Sequence, residues 1–261
     1  MTTVIVHPNF ELTASGIASR LMTRLVERQS VVRPLHVSLT GGTLGQAMWR
    51  YVASHPLAGA VDWTNTHWWF SDERFLPAGA ADRNDTGLLA VAGQLGIPGD
   101  LVHSVAGPRA AADLKAAALA YAADLTQWIQ VDCVTKAPTA WTAAPLFDVA
   151  ILGVGGDGHV ASLFPGRPEG SVCDVTTVAV DHSPKPPAQR VSLTRPVLQQ
   201  CRELWMIAAG ADKAPAVARA LAGGDEEATP AAGLHGVERT LWFVDAALAQ
   251  RLPVLPDKDD A

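Results

Sequence analysis

Short apolar runs alternate along the chain with longer segments whose apolar positions recur at helical spacing. Val4–His7 reads as a first strand, followed by a helix from about Thr13 to Gln29 that gathers Ile17, Leu21, Leu25 and Val26 on one face. His36–Thr40 reads as a second strand, after which Gly41-Gly42-Thr43 turns the chain into a helix ending near His55-Pro56. Thr66–Ser71 reads as a third strand rich in aromatics, and the Ala-rich stretch from Arg109 to about Val131 as a long helix. After a central strand within Phe147–Gly153 come extended pieces at Val175–Val180 and Arg190–Thr194 and a helix from Pro196. A strand at Leu204–Ala208, a helix from Lys213 and a late strand at Thr240–Val244 complete the pattern. Such alternation implies a single α/β domain over residues 1–261, with a mainly parallel, Rossmann-like sheet covered by helices on both faces. Thr135–Pro145, with its Pro, Ala and Thr, reads as a flexible connector, and Asp257–Asp260 as a frayed acidic tail.

A chain of 261 residues that is 48% hydrophobic can bury a sizeable core. Lys+Arg 20 against Asp+Glu 26 gives a net charge of -6, which offers no footprint for nucleic acid. An anionic ligand must then be held by a few local cations rather than by a general field. The scattered Cys133, Cys173 and Cys201 lack C-x-x-C spacing, which suits a reducing cytoplasm and argues against a zinc site. Met1–Val6 has neither the basic region nor the length of a signal peptide, and no apolar run approaches membrane-spanning length. A soluble cytoplasmic monomer with no nucleic-acid or membrane partner is expected.

The stretch from Phe147 to His159 is the most informative chemistry in the chain. Its apolar run ends in Gly153-Val154-Gly155-Gly156-Asp157-Gly158-His159, a glycine-walled loop that sets a carboxylate beside an imidazole. In open parallel sheets ligands bind at this carboxyl edge of the strands. The loop also satisfies G-x-G-x-x-G, but that fingerprint needs a helix starting at the third glycine. Here Val160-Ala161-Ser162-Leu163-Phe164 runs into Pro165-Gly166, which stops a helix early, so a nicotinamide cofactor is rejected. A neutral imidazole is a natural general base for water, and His159 is the first candidate for that role. The other histidines read as ordinary satisfied side chains.

Two further loops fall at the same edge. Thr40-Gly41-Gly42-Thr43 is either a phosphate cradle at a helix N-terminus or an ordinary glycine turn with Thr43 as N-cap. Ser71-Asp72-Glu73-Arg74 places charges where a core strand cannot continue, so these residues are expected at the sheet's end. Arg74 suits a bidentate clamp on phosphate, and Asp72 suits an imidazole or a sugar hydroxyl; the alternative is a solvated Asp–Arg pair. Lys185, Arg190, Arg195 and Lys213 are cations that suit a phosphorylated substrate if they converge. There is no G-x-S-x-G elbow, no H-E-x-x-H or Cys–His metal cluster and no Walker lysine.

In this order the elements resemble the glucosamine-6-phosphate isomerase/6-phosphogluconolactonase family. The matching pieces are Ser38–Thr43, Trp69–Pro77 with Asn84 downstream, Leu152–Gly166, Pro184–Pro187 with Arg190–Thr194, and Pro230–Ala232 with Trp242–Asp245. The run Asp157-Gly158-His159-Val160-Ala161-Ser162-Leu163-Phe164-Pro165-Gly166 favours the lactonase branch, because the deaminase branch carries Asn-Gly-His and a downstream glutamate. The glycine loop departs from the branch's usual form in reading TGGTL. The resemblance implies hydrolysis of 6-phospho-D-glucono-1,5-lactone, a sugar phosphate, with no metal or organic cofactor. It implies His159 as base, oriented by Asp157 or Asp72, and amides of Gly155 and Gly156 facing the oxyanion. Phosphate would be held by Gly41, Gly42 and Thr43 with Arg74, Lys185, Arg195 or Lys213. The alternatives are an amino-sugar-phosphate deaminase and a sugar-phosphate-sensing domain without catalysis.

Overall fold

The computed structural model describes residues 2–129 and 145–253. Its elements are β1 (Thr2–His7), α1 (Phe10–Gln29), β2 (Leu35–Leu39), α2 (Gly42–Ala53), β3 (Thr66–Phe70), β4 (Asp72–Arg74), α3 (Thr86–Leu95) and α4 (Leu114–Ile129). They continue with β5 (Phe147–Gly153), β6 (Thr177–Val180), β7 (Arg190–Leu193), α5 (Arg195–Gln199), β8 (Cys201–Ala208), α6 (Ala214–Leu221), β9 (Arg239–Asp245) and α7 (Ala246–Ala249). Most of the 135–145 connector and all of the 257–260 tail lie outside the described residues.

Six strands form one parallel sheet in the order β1-β9-β8-β5-β2-β3. The central strands are apolar at consecutive positions because both of their faces are covered. Val149, Ile151, Trp205, Ile207, Leu241 and Phe243 pack with α1 and α2 residues such as Leu21 and Met48. Their neighbours Ala150, Leu152, Leu204, Met206, Trp242 and Val244 pack on the opposite side with Leu125 of α4 and Val217 of α6. The expected α/β class with helices on both faces is what the chain adopts.

The long helix starts later than its Ala-rich composition predicts. Arg109–Asp113 are turns and bends, and Asp113 caps the helix by accepting from the Ala116 N–H at 2.8 Å. After Gly158 the chain makes single bridges, Val154 with Val160 and Val160 with Leu163, instead of a helix, as the rejection of a dinucleotide loop requires. No described helix is long and apolar enough to cross a membrane.

The sequence pattern misses a second, three-stranded antiparallel sheet, β4-β7-β6. It also misplaces Glu73. The expectation that charges could not enter the interior is wrong, for Glu73 is fully buried. Its carboxylate accepts from the amides of Arg74, Asn84 and Asp85 at 2.7–3.0 Å and lies 3.7 Å from the Arg83 guanidinium. Burial pushes Glu73 up to about 7, with Arg83 and the Asn84 amide opposing the rise. The buried carboxylate thereby pins residues 83–85 against β4.

Candidate active site

The chain leaves β2 for β3 on one side, then returns to place β5 on β2's other side. Such a reversal opens a crevice at the carboxyl ends of the two strands. The loops after β2 and β5 meet there, and the Gly153 N–H donates to Thr40 Oγ1 at 3.2 Å. The resulting cleft of about 370 Å³ is lined from β2 by Gly41, Gly42 and Thr43 and from β4 by Asp72 and Arg74. Gly155, Gly156 and His159 line it from the β5 loop, with Lys185, Arg190 and Lys213 completing the wall. Arg195 is not among them. Its guanidinium donates to the carbonyls of Pro230 and Ala232 and pairs with Glu226, which removes it from the candidate clamp.

His159 Nδ1 lies 2.5 Å from Asp157 Oδ1. Two acceptors at that distance would repel, so Nδ1 carries a proton donated to the carboxylate, which in the neutral ring leaves Nε2 as the acceptor. The side chain is 17% exposed, its ring stacked on Phe164 with centroids 4.7 Å apart. Its other side lies against Gly155, where a Cβ would overlap the imidazole and the Asp157 carboxylate. Burial raises Asp157, but the hydrogen bonds from His159 and Lys185 outweigh it and hold the carboxyl well below the usual range. Lys185 Nζ stands 3.2 Å from Asp157 Oδ2 and 3.0 Å from His159 Nδ1. Asp157, rather than Asp72, is therefore the partner of the imidazole.

Asp72 does other work. Its carboxylate accepts from Asn84 Nδ2 at 3.0 Å and from Ser162 Oγ at 2.6 Å, and lies 3.7 Å from Arg190. This ties the second sheet to the histidine loop. Arg190 is buried, and it donates to the carbonyls of Lys185, Pro186 and Pro187, shaping the loop that delivers Lys185. Arg74 and Arg190 are register partners across β4 and β7. Like charges placed opposite one another are unfavourable; Asp72 offsets Arg190, and an anion in the cleft would add a counter-charge beside Arg74.

α2 begins at Gly42, with Gly41 as its cap and no side-chain cap bond, so Thr43 is not the N-cap. The first turn of this helix lies in the cleft wall, and free backbone amides at a helix N-terminus suit an anion. Gly41 is confined to glycine because a Cβ there would overlap the Asn84 side chain. The Gly155 N–H donates to the His159 carbonyl at 3.0 Å, which removes it as an oxyanion donor. The Gly156 N–H has no acceptor among the described residues. Sequence reasoning quoted Thr40 and Asn84 only within motifs and did not single out Asp212, and all three line the cleft. Asn84 and Asp72 meet only after the intervening loop folds back, so no local spacing announces the pair.

The family model described as glucosamine-6-phosphate isomerases/6-phosphogluconolactonase matches residues 8–242. The chain belongs to this family. It is 42% identical over 254 residues to a 6-phosphogluconolactonase of Streptomyces coelicolor, covering 96% of this chain and 94% of that one. The solved 6-phosphogluconolactonase of Trypanosoma brucei is 26% identical, with a TM-score of 0.76 over 97% of this chain and 99% of that one. A monomeric glucosamine-6-phosphate deaminase superposes with a TM-score of 0.74 at 17% identity, covering 95% of this chain and 99% of that one. At that identity the likeness is one of fold alone.

Proposed function

We propose that this protein hydrolyses 6-phospho-D-glucono-1,5-lactone to 6-phospho-D-gluconate, the lactonase step of the oxidative pentose phosphate pathway, with His159 as general base. The observation that carries this reading is the Asp157–His159 pair standing in a cleft that also gathers Arg74, Lys185 and Lys213 beside the N-terminus of α2. A lactone is an activated ester, so the reaction needs an oriented base and an oxyanion donor rather than a covalent nucleophile. The phosphate is bound by the amides at Gly42 and Thr43 with Arg74, which tethers the ring for attack. His159 Nε2 takes a proton from water as the oxygen bonds to C1. The Gly156 N–H faces the developing oxyanion. Collapse breaks the C1–O5 bond, and the imidazolium returns its proton to O5.

The deaminase reading requires a second carboxylate beside the histidine. At that place Leu163 and Phe164 are buried and apolar, and Phe164 stacks on the His159 ring. This favours the lactonase.

A coupled assay on freshly made lactone, corrected for spontaneous hydrolysis, tests both levels. Catalysis by the intact protein is expected, with a loss of about 10²-fold or more in His159→Asn. No acceleration by the intact protein rejects the activity. Turnover near that of the parent in a folded His159→Asn rejects the base assignment alone.

A further inference from the structure

Asn84 is held on several sides, and the elements that hold it carry the two halves of the cleft. Its side-chain nitrogen donates to the Asp72 carbonyl at 2.8 Å and to the Asp72 carboxylate at 3.0 Å. An oxygen in that place would face two acceptors, so the partners fix the orientation of the amide. Oδ1 points the other way, where it is buried without a donor among the described residues and lies where a Cβ on Gly41 would be. An acceptor buried without a donor is destabilising, which calls for a reason to keep an amide here. The backbone is pinned as well. The Asn84 N–H donates to Glu73 Oε1 at 2.7 Å, and its carbonyl accepts from Nε2 of Gln46, on α2, at 3.0 Å. Asp72 in turn accepts at 2.6 Å from the hydroxyl of Ser162, on the chain that leaves His159. One side chain thus touches both the residue that opens α2 and the carboxylate that holds the segment after the imidazole.

We propose that Asn84 is a positioning residue that sets the spacing between the N-terminus of α2 and the His159 loop, so that a lactone tethered by its phosphate presents C1 to the base. The inference rests on the lactonase reading and adds to it a role for a side chain that touches neither the phosphate nor the reacting atoms. Asn84 acts through its neighbours. Through Gly41 it sets where the first turn of α2 lies, and with it the bound phosphate. Through Asp72 and Ser162 it sets where the chain leaving His159 lies. The lactone spans the two, because its phosphate is on C6 and its ester carbon is C1. A tether accelerates the reaction only while both ends are in register, and a displacement of about 1 Å costs on the order of 10²-fold in rate. No contact with phosphate is lost when Asn84 is changed, so binding and turnover separate. Affinity stays and chemistry slows.

Steady-state hydrolysis of fresh 6-phosphogluconolactone, calorimetric binding of 6-phosphogluconate and thermal melts of the full chain read this together. Asn84→Ala is expected to lower kcat by roughly 10- to 10²-fold while its affinity for 6-phosphogluconate stays within a few-fold of the parent. Gly41→Ala presses on the same contact from the other side without removing a buried polar group. It carries the same expected split and stands in where Asn84→Ala does not fold. Ser162→Ala breaks the connection at its far end. Its loss of kcat and that of Asn84→Ala are expected not to add, the double variant being no slower than the slower single. A kcat within a few-fold of the parent in a folded variant, a matching loss of 6-phosphogluconate affinity, or additive losses overturn the proposal while leaving the lactonase reading intact. Absence of hydrolysis by the unmodified protein overturns the reading instead.

Discussion

Asp157 Oδ1 and His159 Nδ1 are 2.5 Å apart although their residues are separated in the chain only by Gly158, whose φ of +97° bends the loop back on itself. The carboxylate and the base it orients are thus products of one tight turn. Asp157→Asn keeps the size of the side chain but no longer favours the Nδ1–H tautomer, and it releases Lys185. A fall in kcat of roughly 10²- to 10⁴-fold is expected, with a smaller change in KM. Steady-state kinetics on the purified variant check this. A kcat within a few-fold of the parent rules Asp157 out as the orienting group.

The same turn makes Gly155 a sensitive position. A Cβ there overlaps the imidazole and the carboxylate, so Gly155→Ala displaces the His159 ring without touching the core. Misplacing a catalytic group by about 1 Å costs on the order of 10²-fold, and that loss of kcat is expected with thermal stability little changed. An active Gly155→Ala would show that the ring is free to occupy another position.

Arg74 tests the anion-binding side of the cleft. Its guanidinium is anchored on the Asp82 carbonyl and faces Arg190 across the sheet pair. Arg74→Ala is expected to raise KM for the phosphorylated lactone by roughly 10-fold or more, the value of one charge-assisted contact. The effect on an unphosphorylated aldonolactone should be small. Equal effects on the two substrates, or none on either, would take Arg74 out of the phosphate clamp.

The parallel sheet and the histidine loop were legible because both depend on local pattern. Apolar runs bounded by glycines mark β5, and the proximity of Asp157 to His159 is already present in the chain order. The β4-β7-β6 sheet was not legible, since β4 is a three-residue charged segment that becomes a strand only by pairing with distant Arg190–Ser192. Arg195 could not be separated from Lys185 and Lys213 by spacing, because its removal from the cleft depends on carbonyls of a loop 35 and 37 positions later. Glu73 reads as a surface charge until its three amide partners are known. That difference matters for stability. Glu73→Ala leaves the Arg74, Asn84 and Asp85 amides without their acceptor and takes away one of the two carboxylates beside Arg83. A loss of about 3 kcal/mol is expected in urea denaturation, and one below about 1 kcal/mol would mean that the carboxylate is dispensable.

One source of acid sensitivity lies far from the cleft, at the amino ends of β2 and β3. His36 accepts from Trp69 Nε1 at 3.1 Å and stacks on His67 with centroids 4.7 Å apart. His67 Nδ1 lies 2.9 Å from His103 Nε2, and His103 stacks on Trp69 at 3.7 Å. Burial and mutual repulsion pull His36 down to about 3 and His103 to about 4, and burial also lowers His67. Folded values below the unfolded 6.5 mean that unfolding takes up protons in this range. The stability contributed by the neutral rings is full above pH 6.5 and is lost progressively as pH falls toward 4 and then 3. Thermal melts across this range should show Tm falling with pH, and His36→Gln, which keeps an acceptor for Trp69, should flatten the slope. A slope unchanged by removing His36 would place the acid sensitivity elsewhere in the fold.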